Sequence, residues 1–306
     1  MSKVAFCFPG QGSQRVGMGK ELVARHPEAA EVFDQASHEL GFDLRKICFE
    51  GPIEELSRTE ITQPALVATS VAALRVLTAE TGLRPDVVIG HSVGEYAALA
   101  AADSLTVPEV TRLVRVRGLA TAESKAHGAM AAVLGLDDAE VERLCRESDD
   151  VWPANYNCPG QVVISGREEG VGQVGDAARD LGAKVIRLRV AGAFHSPLMA
   201  DAGPKLEQAV SAVAFRDLST RFMSTVSSKL ETVDRVPALL VEQLTAPVRF
   251  TQAVQALMAD GVTRFVEVGS GSVLAGLVRR IDPSVTSLSV SEPADIATVA
   301  AGLANA

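Results

Sequence analysis

Two styles of hydrophobic patterning alternate along the chain. From Lys3 to Phe8 an apolar run leads straight into the glycine turn Pro9-Gly10-Gln11-Gly12, which predicts a short strand ending in a tight loop. Helical spacing follows at about 19–26, 28–40 and 62–80. The last of these, TQPALVATSVAALRVLTAE, is apolar nearly all round and predicts a buried central helix with Thr62 as its N-cap. Pro85 to Gly90 reads as a strand buried on both faces, and a helix over 93–102 follows it at once. A further helix over 108–124 ends at Ala126-His127-Gly128, where His127 reads as part of a glycine-flanked linker.

Beyond that point the units become short. GAMAAVLGL reads as a strand and DDAEVERLCRES as a capped helix, while VWPANYNCP and GQVVISGR read as two strands joined by Pro159-Gly160. A helix within REEGVGQVGDAARDLG and the strand AKVIRLRV complete a βαββαβ order, the split ferredoxin-like pattern. Alternation resumes afterwards, with a helix at 198–213, a strand at 221–226, helix 249–260, strand 265–269 and a final helix at 273–281. The expected fold class is therefore α/β. A large subdomain (1–125 and 195–306) carries a parallel sheet with helices on both faces, interrupted by a small ferredoxin-like subdomain at 126–194.

Composition narrows the function classes. A net charge of −9 argues against a general nucleic-acid binder held by phosphate contacts. The cysteines Cys7, Cys48, Cys145 and Cys158 are scattered without metal or disulfide spacing, which excludes a zinc knuckle and fits a reducing cytoplasm. The apolar start is too short for a signal peptide, and no apolar run approaches the roughly 20 residues that span a bilayer, so neither secretion nor a membrane partner is expected.

The sharpest chemical signal is Gly90-His91-Ser92-Val93-Gly94, a G-x-S-x-G between an apolar strand and a helix. A turn that tight excludes side chains two positions either side of the serine and sets its hydroxyl beside free backbone N–H groups at a helix start. The plain alternative is an ordinary Gly-Ser turn, which the strand and helix on either side disfavour. A serine nucleophile needs a base. His26 and His38 lie on polar helical stretches, and His91 adjoins the serine but faces away from it. His195 remains, just ahead of Ser196-Pro197, an N-cap and N1 pair whose helix dipole would help keep the imidazole neutral. No acid stands out between serine and histidine, as a hydrolase triad would require, whereas the polar turn Glu242 to Val248 offers a backbone carbonyl to the ring. Arg112 and Arg115 read as solvated. Arg117, among apolar neighbours, reads equally as a carboxylate anchor and as a solvated arginine. Two motifs are decoys: Gly170 to Gly175 matches G-x-G-x-x-G but reads as a flexible lead-in to a helix, and Gly269-Ser270-Gly271-Ser272 reads as a plain strand-to-helix turn.

These residues resemble the malonyl-CoA:acyl carrier protein transacylases and related acyltransferases of fatty acid and polyketide synthesis. The motifs that carry the resemblance are FPGQGSQ from Phe8, TQPA from Thr62, GHSVGEY from Gly90, Arg117-Gly118, GAMAA from Gly128, NCPGQ from Asn157, Phe194-His195-Ser196 and FVEVG from Phe265, in the family order over essentially the whole chain. The resemblance implies an α/β-hydrolase-like subdomain with a ferredoxin-like insert and an active site in the cleft between them. It implies Ser92 as nucleophile, His195 as base and then acid, the N–H groups of Gln11 and Val93 as oxyanion hole, and Arg117 on the malonyl carboxylate. Gln63 would line the acyl pocket, the turn at Gln243 would offer its carbonyl to His195, and Phe194 would crowd an α-methyl branch. The implied substrate is malonyl-CoA, the partner the phosphopantetheine form of an acyl carrier protein, with no tightly bound cofactor or metal. Departures are Thr121, where a Met-like residue is expected, and the Gly-Ser-Gly-Ser turn in place of Gly-Pro-Gly. An acidic carrier needs local basic surface, for which Lys184, Arg187, Arg189, Arg279 and Arg280 are the candidates. A thioester hydrolase on the same serine, a trans-acting polyketide synthase acyltransferase with another extender unit, and a non-catalytic docking module are the competing readings.

Overall fold

The computed structural model describes residues 3–124, 128–190 and 192–304; the linker expected at His127 lies outside the described residues. The chain opens with β1 (Lys3–Phe8), then α1 (Lys20–Arg25), α2 (Pro27–Leu40), α3 (Leu44–Glu50), α4 (Ile53–Leu56) and the long α5 (Thr59–Thr81). β2 (Val87–Gly90), α6 (Gly94–Ala101) and α7 (Val107–Ala122) follow. Next come β3 (Ala129–Leu134), α8 (Asp138–Arg146), β4 (Val151–Cys158), β5 (Gln161–Gly166), α9 (Glu168–Asp180) and β6 (Lys184–Arg187). The chain then runs through a 3-10 turn at Pro197–Ala202, α10 (Gly203–Ser211), β7 (Arg221–Ser224), β8 (Lys229–Glu231) and α11 (Val236–Glu242). It ends with α12 (Phe250–Ala259), β9 (Val262–Val268), α13 (Val273–Ile281), β10 (Thr286–Val290) and α14 (Pro293–Ala304).

Six strands form one sheet in the order β10-β9-β1-β2-β7-β8. All neighbours in it are parallel except the β7–β8 hairpin at one edge. Period-two alternation on β1 explains the two layers of core. Phe6 and Phe8 point into a cluster with α2, α5, α6 and α7, whereas Ala5 and Cys7 point into a second cluster with α12 and α13. Each fully buried phenylalanine contributes about 1.5–3 kcal/mol of transfer free energy. The remaining four strands form an antiparallel sheet in the order β4-β5-β3-β6 with α8 and α9 packed against it, the ferredoxin-like arrangement that the βαββαβ order predicts. Val248 joins the two parts, because its N–H and C=O bond Ala154 and Tyr156 of β4 at 2.8 Å each.

The structure corrects several local expectations. Thr62 is not an N-cap: α5 starts at Thr59 behind Arg58, and the Thr62 hydroxyl donates back to the Leu56 carbonyl. α5 is also long and apolar enough to cross a membrane, against the expectation that no run reaches that length, but most of it is buried in the protein core. Gly170 to Gly175 lies inside α9 instead of leading into it. Helix 273–281 is not the last element, since β10 and α14 follow and extend the sheet by one strand. The short α3 and α4 and the edge strand β8 carry too few periodic positions to be read from sequence.

Candidate active site

Register places the site. Phe8 pairs with Gly90, so β1 and β2 end level and the loops that follow them lie side by side. Ser92 occupies the turn after β2 with φ of 53°, a left-handed conformation uncommon for a residue bearing a Cβ. The flanking glycines answer to close backbone approach. A Cβ on Gly90 would stand 2.1 Å from the Glu95 nitrogen, and one on Gly94 would stand 2.1 Å from the Phe8 carbonyl oxygen.

His195 shares the left-handed region at φ 59° and is buried. Its Nδ1 lies 2.9 Å from the Gln243 carbonyl and 3.2 Å from that of Ala246. Carbonyls only accept, so the proton sits on Nδ1 and Nε2 carries the lone pair. That nitrogen lies 2.8 Å from Ser92 Oγ, which therefore donates to it. Two backbone carbonyls stand where a triad would place a carboxylate. The imidazole is held far below its usual range, at about 3, first by burial and then by the Arg117 and His91 charges. The expected helix dipole is not the cause: Pro197–Ala202 is a 3-10 turn, and the Ser196 hydroxyl donates to the Ala193 carbonyl instead of capping it.

Arg117 projects from α7 and is buried, not solvated. Its Nη2 donates to Ser92 Oγ at 3.1 Å and to Gln243 Oε1 at 3.0 Å. Burial lowers its pKa, opposed by Tyr96 and Glu95, yet a guanidinium remains protonated in proteins. Its Nε is buried without a partner, as is Oε1 of Gln63 on α5, and both residues line one cleft of about 620 Å³ that also contains Ser92 and His195. Buried polar atoms left unpaired beside an open cleft suit a polar ligand. Gln11 and Phe194 line the same cleft. Among the described residues the N–H groups of Gln11 and Val93 have no protein acceptor, as an oxyanion site requires.

Other candidates lie elsewhere. Arg112 pairs with Glu39 at the surface. Arg115 is not simply solvated, because it donates to the Glu60 carbonyl and stacks over Phe42. His26 sits ahead of α2 beside Glu80, and His38 belongs to the last turn of that helix. His91 bonds Asn157 of β4 at 2.9 Å. The Gly269 to Ser272 turn leads from β9 to α13, and Thr121 bonds back to the Arg117 and Gly118 carbonyls on its own helix. Of the basic candidates, Arg187 pairs with Glu168, Arg279 and Arg280 bond Ser287 and Gln161, and Arg189 is exposed on the cleft rim. All four cysteines are free and buried, and no cluster of three or more metal-ligating side chains occurs among the described residues.

Sequence reading missed Glu95. It is fully buried in the first turn of the elbow helix, where its carboxylate accepts from Thr225 N–H at 2.6 Å, Thr225 Oγ1 at 2.8 Å and Gln243 Nε2 at 2.6 Å. Burial raises its pKa to about 7 against the pull of those hydrogen bonds. The signal available was an acid in an otherwise apolar helix start, Gly94-Glu95-Tyr96-Ala97, where a charge has no solvent to face.

An elbow serine hydrogen-bonded to a neutral histidine, with a buried arginine on the same oxygen, is a site suited to acyl transfer. The acyl transferase domain family matches residues 5–299, and the chain belongs to that family. It is 43% identical over 304 residues to the malonyl CoA-acyl carrier protein transacylase of Bacillus subtilis, covering 97% of this chain and 96% of that one. The solved malonyl CoA-acyl carrier protein transacylase of Coxiella burnetii superposes with a TM-score of 0.96 at 36% identity, covering 99% and 98% of the two chains. A malonyl-transacylase solved with its type II PKS acyl-carrier protein superposes at 0.94 with 38% identity, covering 98% of this chain and 99% of that one.

Proposed function

We propose that this chain is an [acyl-carrier-protein] S-malonyltransferase, moving malonyl from malonyl-CoA to the phosphopantetheine thiol of an acyl carrier protein. The observation that carries it is the placement of Arg117 Nη2 on the hydroxyl that donates to His195. A guanidinium there can hold the free carboxylate of a malonyl group beside the attacked thioester. Ser92 Oγ attacks the thioester carbonyl as His195 Nε2 takes its proton, and the N–H groups of Gln11 and Val93 hold the oxyanion. Collapse forms the Ser92 ester and expels coenzyme A thiolate, protonated by His195. The carrier's thiol then gives its proton to His195, attacks the ester and leaves as malonyl thioester with Ser92 restored. Phe194 on the cleft crowds an α-methyl branch, and such a contrast is worth about 1–3 kcal/mol.

The partition into a large subdomain (1–125 and 195–306) and a small one (126–194) belongs to this proposal, as does a cytoplasmic location. All three transacylases named above carry malonyl in their names, and two of them carry malonyl CoA, which supports malonyl-CoA as substrate. Incubation with radiolabelled malonyl-CoA tests the reading: a stable label on Ser92 that passes to holo carrier protein is the expected result. Rapid release of free malonate would instead identify a thioester hydrolase, and no label at all a docking module.

A further inference from the structure

Glu95 is a fully buried acid joined to the site through Gln243, and none of the steps above uses it. Its two oxygens accept from Thr225 N–H, Thr225 Oγ1 and Gln243 Nε2, and the Ser224 hydroxyl donates to the same carboxylate. Gln243 is also fully buried, and its amide joins Glu95 to the site: Nε2 donates to Glu95 and, at 3.2 Å, to the Ser92 carbonyl, while Oε1 accepts from Arg117. An amide has one accepting and one donating end, and the two can exchange by a half-turn about the last torsion. An acceptor at one end and an obligate donor at the other remove that freedom. We propose that Glu95 is a positioning residue for the transfer reaction, acting through Gln243 to fix which end of that amide meets Arg117 and Ser92. With Nε2 held by Glu95, Oε1 faces Nη2 of Arg117 and steers the guanidinium onto Ser92 Oγ. The same side chain anchors the segment whose Gln243 carbonyl orients His195, so one buried carboxylate sets the geometry of base and anchor together.

The proposal rests on the malonyl-transfer reading and makes a parity prediction. In Glu95→Gln the new amide must offer its oxygen to Thr225 N–H, which turns its NH₂ toward the NH₂ of Gln243. If Gln243 then flips, its NH₂ meets the Arg117 guanidinium, so one donor faces another in every arrangement. Glu95→Gln/Gln243→Glu reverses both ends and restores the alternation from Thr225 to Arg117, while the Ser92 carbonyl loses its donor and faces a carboxylate oxygen instead. The expected result for Glu95→Gln is a fall in malonyl kcat/KM of roughly ten- to a hundredfold, larger than the fall for acetyl-CoA. The exchanged double variant is expected to recover at least about tenfold of it. Wild-type malonyl transfer, run alongside, separates the two claims, because its absence would sink the functional reading and not the role of Glu95. Glu95→Gln at wild-type rates, or equal losses for both acyl groups with no recovery in the double variant, would overturn the proposal. Should Glu95→Gln fail to fold, the double variant decides alone: folded and transferring malonyl supports the proposal, and unfolded or inactive overturns it.

Discussion

Ser92 and His195, 103 residues apart in sequence, meet at 2.8 Å with both backbones in the left-handed region, φ 53° and 59°. Such a conformation costs about 1–3 kcal/mol per residue, and it persists because the surrounding strands and buried turns leave no alternative. Both side chains are thereby held off their own backbones and aimed at each other. Replacing His195 with alanine removes the acceptor for the Ser92 proton. Malonyl labelling of Ser92 should then slow by about 10²–10⁴-fold while the fold survives, measured by quenched labelling beside circular dichroism. A labelling rate within a few fold of wild type would remove His195 from the role of base.

Arg117→Ala should separate acyl groups. Loss of a buried charged partner for a carboxylate costs about 2–5 kcal/mol, so malonyl-CoA should lose at least about thirtyfold in kcat/KM, with a relative gain for acetyl-CoA. Parallel steady-state measurements with the two thioesters check it; equal losses for both would make Arg117 a structural residue only.

Acid should act on stability through His195 with a definite sign. Its folded pKa of about 3 lies below the ordinary 6.5, so between those values the unfolded chain holds a proton that the folded one lacks. The contribution of the neutral ring is complete above pH 6.5 and is lost as pH falls toward 3. Glu95 runs the other way. Raised from 4.5 to about 7, it contributes fully below 4.5 and loses that contribution as pH rises through 7. Denaturant midpoints at pH 7 and pH 5 should therefore show a smaller acid loss for His195→Gln than for wild type; identical losses would refute the assignment.

Gly94→Ala should damage the elbow and not merely the rate. The added methyl would meet the Phe8 carbonyl at 2.1 Å, which forces α6 away from β1. A drop in melting temperature of several degrees together with loss of Ser92 labelling is expected, against near-neutral behaviour for Gly172→Ala, where a Cβ meets nothing. Unchanged melting and labelling in Gly94→Ala would mean that the turn is looser than the glycines imply.

Phe194 should set extender choice at the cleft wall. Phe194→Ser opens room for an α-methyl group, and the ratio of methylmalonyl to malonyl kcat/KM should rise by about 5- to 100-fold. Competition assays with both thioesters read that ratio directly, and an unmoved ratio would discharge Phe194 from the role.

Local pattern was enough for the elements whose chemistry is written in consecutive residues. KVAFCF before a glycine turn, VVIG before His91-Ser92, and the βαββαβ order between Gly128 and Arg187 all announce themselves through period and turn residues. The elbow and its serine were legible for the same reason, since the steric demand on Gly90 and Gly94 is local. What the chain alone left open was pairing at a distance. Arg117 read equally as anchor and as solvated side chain, because only the packing of α7 against α5 and α6 decides that its guanidinium ends buried on Ser92. Likewise the low pKa of His195 comes from burial and neighbouring charge that the fold assembles, not from the helix start that follows it in sequence. Glu95 stayed hidden because an acid's partners, here Thr225 and Gln243, lie 130 and 148 residues away. Short-range sterics and periodicity are properties of neighbouring residues, so sequence determines them; desolvation and hydrogen-bond polarity belong to what surrounds a side chain, and tertiary structure alone supplies it.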